Sequence, residues 1–119
     1  MHLIRFDRSQ EIPIVDAIVF GPQKHERLRL VFDSGCGVTQ IHIGVINSIG
    51  YSEQDAKRTT SVQGATGDRQ HGFLLGINKL LFFGKTFPDL DVAAHDFSTF
   101  SSCGIDGLLG FDVIKQLRF

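Results

Sequence analysis

Asp33 closes an apolar run, Leu30-Val31-Phe32, and is followed at once by Ser34 and Gly35, so a carboxylate, a hydroxyl and a glycine meet at the end of a strand-like segment. A carboxylate placed this way suits general acid–base work on water or a carbonyl group, and such work is strongest when two carboxyl groups share it. The chain contains Asp-Ser-Gly once and no Asp-Thr-Gly. If Asp33 is half of a pair, the other half comes from a second copy, so the triplet predicts oligomeric state together with activity.

The triplet alone is weak evidence: Asp followed by Ser or Thr and then Gly arises by chance in about one chain in twenty of this length. Its plain alternative is a surface turn after a strand, where these three residue types are common. Two further features stand in order with it. Thr39 lies six positions after Asp33, and Leu108-Leu109-Gly110 precedes a short amphipathic segment near the C-terminus.

Other candidate chemistry is weaker. Gly84-Lys85-Thr86 imitates the end of a phosphate-binding loop, but Lys79 occupies the position where that motif needs glycine, and Phe87-Pro88-Asp89 follows instead of a helix. Cys36 and His42 suggest thiol or metal chemistry, yet the five histidines are dispersed and neither CxxC nor HExxH is present. Ser34 lacks the Gly-x-Ser-x-Gly elbow, since Phe32 stands at the first glycine position. Asp106 and Asp112 flank Leu108-Leu109-Gly110 and read as turn and helix-end hydrogen-bonding groups.

The elements that must position Asp33 are short and strand-rich. Ile12 to Phe20 ends at Gly21-Pro22 and Leu28 to Phe32 resumes, which predicts a hairpin delivering Asp33 at its end. Gly44 to Ile49 reads as a short helix stopped at Gly50, and Ser52 with Asp55 makes a capping pair. From Thr59 to Gly72 the sequence is polar and punctuated by glycine, as in an exposed hairpin. Strands are then expected at Phe73 to Ile77, Leu80 to Phe83 and Leu90 to Ala94, with turns at Asn78-Lys79 and Gly84-Lys85, and a helix from Phe111 to about Leu117. Close strand spacing with only short helices predicts an all-β fold, a small closed barrel or sandwich.

Composition narrows the rest. The 119 residues suffice for one domain spanning 1–119 without a disulfide or metal. A net charge of -1 with scattered Lys and Arg argues against nucleic acid as a partner. Cys36 and Cys103 read as free thiols, and the N-terminus has no long apolar core, so a cytoplasmic protein without a membrane segment is expected.

Taken together, the apolar run, Asp33-Ser34-Gly35, a small residue at Cys36, two variable positions, Thr39, and Leu108-Leu109-Gly110 before a helix resemble the retropepsin-like aspartic proteases, the single-domain branch of the pepsin clan. The resemblance runs from about Ile12 to Leu117. It implies an acid-protease-type barrel with a flap hairpin and a short C-terminal helix, the active site being completed by homodimerisation. It further implies Asp33 as the catalytic residue, and Ser34, Gly35 and Thr39 as support for the dyad. Ala65, Thr66 and Gly67 become the substrate-binding flap tip, and Leu108, Leu109 and Gly110 the second signature. The implied activity is peptide-bond hydrolysis without cofactor or metal, on a polypeptide substrate. The alternative from another class is a retropepsin-fold dimer that binds peptides or serves assembly without turnover. Cys36 departs from the Ala or Ser usual in the family, and Leu117-Arg118-Phe119 or the N-terminal segment takes the place of a longer C-terminal strand at the dimer seam.

Overall fold

The computed structural model describes residues 2–5, 11–63, 69–98 and 103–117. Its strands are β1 (His2–Arg5), β2 (Glu11–Phe20), β3 (His25–Phe32), β4 (Gln40–His42), β5 (Arg58–Gln63), β6 (Arg69–Phe82), β7 (Lys85–His95) and β8 (Gly107–Leu109), with helices α1 (Ile43–Ser48) and α2 (Phe111–Ile114). The sheet order is β1-β2-β3-β8-β4-β7-β6-β5, and a further β2–β6 pairing closes the six strands between β2 and β6 into a barrel. This is the all-β closed barrel with a short helix near the C-terminus that the sequence predicts.

Alternation fixes which face of each strand turns inward. On β2, Val15, Ala17 and Val19 are buried while Asp16 between them is exposed. Leu28 and Leu30 continue the core on β3, Leu75, Ile77 and Leu80 on β6, and Leu109 on β8. Each such side chain contributes about 1.5–3 kcal/mol on burial. The β2–β3 hairpin turns at Gly21-Pro22 as expected, with Phe20 opposite His25. Helix α1 buries Ile46 and gives way to Gly50 at φ +111, and Ser52 and Asp55 form the capping box of a short 3-10 turn at Glu53–Asp55.

Two expectations are corrected. Asn78-Lys79 is not a turn, because β6 runs unbroken through it. The ladder to β7 skips Asn78, lying between Ile77 opposite Leu90 and Lys79 opposite Pro88. The Asn78 N–H instead donates to the Tyr51 hydroxyl at 2.8 Å, and the Lys79 amine sits 4.5 Å from the Phe20 ring. Each member of the polar pair thus has a partner without the chain reversing. The reversal comes at Phe83-Gly84, with φ of +56 and +74, the signature of a two-residue type I′ hairpin turn. Helix α2 is also shorter than predicted, ending at Ile114 with one further turn to Gln116.

Candidate active site

The end of β3 delivers Asp33 to a loop that a strand from far along the chain then fixes. β8 lies between β3, to which it is parallel, and β4, to which it is antiparallel, with Phe32 opposite Leu109 and Gln40 opposite Leu108. The loop 33–39 joins the two strands that β8 separates, so it must arch over the chain leaving β8. The backbone bonds record this: Asp33 N–H donates to Leu109 O at 3.0 Å, and Phe111 N–H donates to Cys36 O at 2.6 Å.

Thr39 is fully buried beneath the arch. Its hydroxyl donates to Asp112 Oδ1 at 2.8 Å and accepts the Gly110 N–H at 3.0 Å, while its own N–H donates to the Asp112 carboxylate at 3.1 Å. Asp112 also accepts the Val113 N–H at 2.9 Å, so one carboxylate secures both the loop and the first turn of α2. Gly110 is required by close approach: a β-carbon there would stand 2.8 Å from Thr39 N and from the Val38 carbonyl carbon.

The Asp33 carboxyl group is half-buried, and its Oδ1 accepts the Gly35 N–H at 3.0 Å. Ser34 and Gly35 are exposed at the tip of the loop, with exposed Val38 in the same loop and exposed Phe111 at the start of α2. The Cys36 thiol donates to Val38 O at 3.0 Å and accepts from Gln40 Nε2 at 3.3 Å. Burial pushes the thiol up from its ordinary value, partly offset by the Val38 hydrogen bond, and the Asp33 carboxylate raises it further. Burial and the neighbouring carboxylate thus favour the protonated thiol and lower the reactivity of Cys36.

Thus Asp33, Ser34, Gly35, Thr39, Leu108, Leu109 and Gly110 come together around one loop, with β8 threaded beneath it. Ala65, Thr66 and Gly67 lie outside the described residues; β5 and β6 pair antiparallel on either side of them, from Arg58 opposite Leu74 to Gln63 opposite Arg69. Asp106, expected to be a turn group, instead makes a long-range bond, its carboxylate accepting the Arg29 N–H on β3 at 2.9 Å. The sequence assigned Asp112 to helix-end bonding but not to Thr39; a buried hydroxyl and a carboxylate, each beside a signature, were the signal for that clasp. A groove of about 650 Å3, lined by Ile43, Asn47, Glu53, Thr59, Gly72 and Phe73, lies at the base of the β5–β6 hairpin and does not include Asp33. Among the described residues no three His, Cys, Asp or Glu side chains are grouped to hold a metal, and no helix is long and apolar enough to cross a membrane.

A family model described as aspartyl protease matches residues 15–113. No curated protein sequence matches the chain. Among solved structures, a retropepsin-like aspartic protease from Rickettsia conorii is similar at a TM-score of 0.68 and 16% identity, covering 99% of this chain and 88% of that one. EIAV protease complexed with the inhibitor HBY-793 is similar at a TM-score of 0.60 and 14% identity, covering 98% of this chain and 100% of that one. At such identities the likeness speaks for the fold, which is that of the retropepsins.

Proposed function

Since the chain belongs to the aspartyl protease family, we propose that it is an aspartic endopeptidase, assembled as a homodimer in which Asp33 of each copy forms half of a catalytic dyad. The observation that carries this reading is the clasp between the two signatures: Thr39, Gly110 and Asp112 hold a loop in which half-buried Asp33 stands beside exposed Ser34 and Gly35. One chain brings one such loop. Exposed Val38 and Phe111 beside it supply apolar surface suited to a facing copy.

Two carboxyl groups about 3 Å apart cannot both ionise, so the pair holds one proton between them and titrates as a unit. The ionised member takes a proton from a water bound between them as that water attacks the peptide carbonyl carbon. The protonated member donates to the carbonyl oxygen, and a proton then passes to the leaving nitrogen as the C–N bond breaks. In this dimer exposed Ser34, next to Asp33, would bond across the two-fold axis. The β5–β6 hairpin serves as the flap, with Ala65, Thr66 and Gly67 at its tip, and an extended polypeptide substrate adds as a strand beneath it.

The test is cleavage of a mixed peptide library by the purified protein, read by mass spectrometry. Asp33→Asn is expected to lower the rate at least about a thousandfold, and a variant that cleaves like the parent refutes the dyad. Mixing the parent with an equal amount of Asp33→Asn, after subunit exchange, is expected to lower activity per parent chain by about half, since mixed dimers lack one carboxylate. Unchanged activity on mixing refutes the shared site.

A further inference from the structure

His95 ends β7 with 1% of its surface exposed, and no hydrogen-bond partner for its Nδ1 is found among the described residues. It stands in a row of four positions across the sheet. Thr60 on β5 is opposite Gly72 on β6, the next step of the β6–β7 register brings Gly72 to His95, and His95 is opposite His42 on β4. The ring of His95 reaches across Gly72 to Thr60, whose hydroxyl lies 3.3 Å from Nε2. Only a glycine permits this, because a β-carbon at position 72 would overlap His95 Nδ1 and Ala94 O. The imidazole is thus a wedge that joins β7 to both strands of the β5–β6 hairpin.

We propose that His95 is a positioning residue, holding the β5–β6 hairpin down while its ring is neutral and releasing it when the ring takes up a second proton. The tautomer that leaves least unsatisfied carries its proton on Nε2, toward Thr60, and keeps a bare lone pair on Nδ1. A second proton puts a charge and an unmatched N–H donor into a buried site. Among the described residues, the groups around the ring supply no compensating anion. Thr60 and Gly72 carry no charge. His42 is engaged through Nδ1, which accepts the Phe97 N–H at 2.9 Å, and when protonated would repel a second imidazolium. Asp96 is exposed, bonds the Ser98 N–H at 2.8 Å and lies 3.9 Å from His42 Nδ1. Burial accordingly holds His95 below the ordinary imidazole value of 6.5.

The sign follows from linkage. A group that binds its proton more weakly in the closed form stabilises that form fully above pH 6.5, and loses this contribution as pH falls below 6.5 toward the lowered value. For a ring that stays neutral when closed, opening of the hairpin becomes about tenfold more favourable between about pH 7.5 and about pH 5.5. The catalytic consequence rests on the reading of this hairpin as the flap: KM for a peptide rises over that range, while kcat follows the dyad.

Hydrogen exchange tests this without requiring activity. Protection factors for residues 58–63 and 69–74, taken relative to the β3–β8 ladder, are expected to fall about tenfold in the native protein from about pH 7.5 to about pH 5.5. In His95→Gln, whose amide can still reach Thr60 but does not titrate, the ratio should stay flat. A flat ratio in the native protein overturns the proposal, as does a fall in His95→Gln equal to the parent's, which would assign the effect to His42. Should His95→Gln fail to fold, the ring signal of His95 decides: titration at or above 6.5 in the native protein overturns the proposal. Asp33-dependent cleavage with a pH-flat exchange ratio would leave the protease standing and remove His95. A pH-dependent ratio without peptide cleavage would do the reverse.

Discussion

Replacing Thr39 by valine preserves the shape of a fully buried side chain and removes only its hydroxyl. That hydroxyl donates to Asp112 Oδ1 at 2.8 Å and accepts the Gly110 N–H at 3.0 Å. A hydrogen bond to a charged group is worth about 1.5–3 kcal/mol, and leaving a buried N–H unmatched costs about 1–3 kcal/mol. These contributions belong to one network and do not simply add, so the expected loss is about 3 kcal/mol. For a chain of this size that lowers Tm by on the order of 10 °C. The assay is thermal or denaturant unfolding of both proteins at one matched concentration, because a dimer's apparent stability depends on concentration. Thr39→Ser is the control, keeping both bonds and losing one methyl group for about 1 kcal/mol. Valine within about 1 kcal/mol of the parent, or serine as damaging as valine, would refute the clasp as the device that holds the Asp33 loop.

The remaining predictions concern the hairpin turn and the two thiols. Phe83→Asn is expected to stabilise by about 1 kcal/mol, because Phe83 holds a left-handed φ of +56 with its ring 73% exposed, a conformation asparagine adopts at lower cost; a lowered Tm would count against the type I′ assignment. Alkylation of the folded protein at neutral pH should label exposed Cys103 at least about tenfold faster than Cys36, whose thiol is half-buried and pushed up by burial. Peptide mapping of a brief iodoacetamide reaction reads the order, and Cys36 reacting first would contradict its hydrogen bonding to Val38 and Gln40.

Local signals were legible in the sequence wherever one residue type decided one geometry. Gly21-Pro22 gave the first hairpin, Gly50 stopped α1, and Ser52 with Asp55 capped the turn after it. Asp33, Thr39 and Leu108 to Gly110 were likewise visible as two ordered signatures. What sequence could not supply was pairing over distance. Asn78-Lys79 resembles a turn by residue type, and only the Tyr51 hydroxyl and the Phe20 ring, from elements elsewhere in the chain, explain why the strand continues. His95 carried no mark at all, since its role depends on a glycine on the neighbouring strand and a threonine on the strand beyond. The clasp through Asp112 joins positions 73 residues apart, further than any periodicity can reach.

That separation also sets a clock. A chain made from its N-terminus can close the β2–β3 hairpin early, since its partners are adjacent in sequence, but the slot between β3 and β4 stays empty until residues 107–112 have been synthesised. Until then the Asp33 loop has neither its floor nor its clasp. On the homodimer reading proposed above, two half-made chains that meet before then have no organised Asp33 loops to bring together.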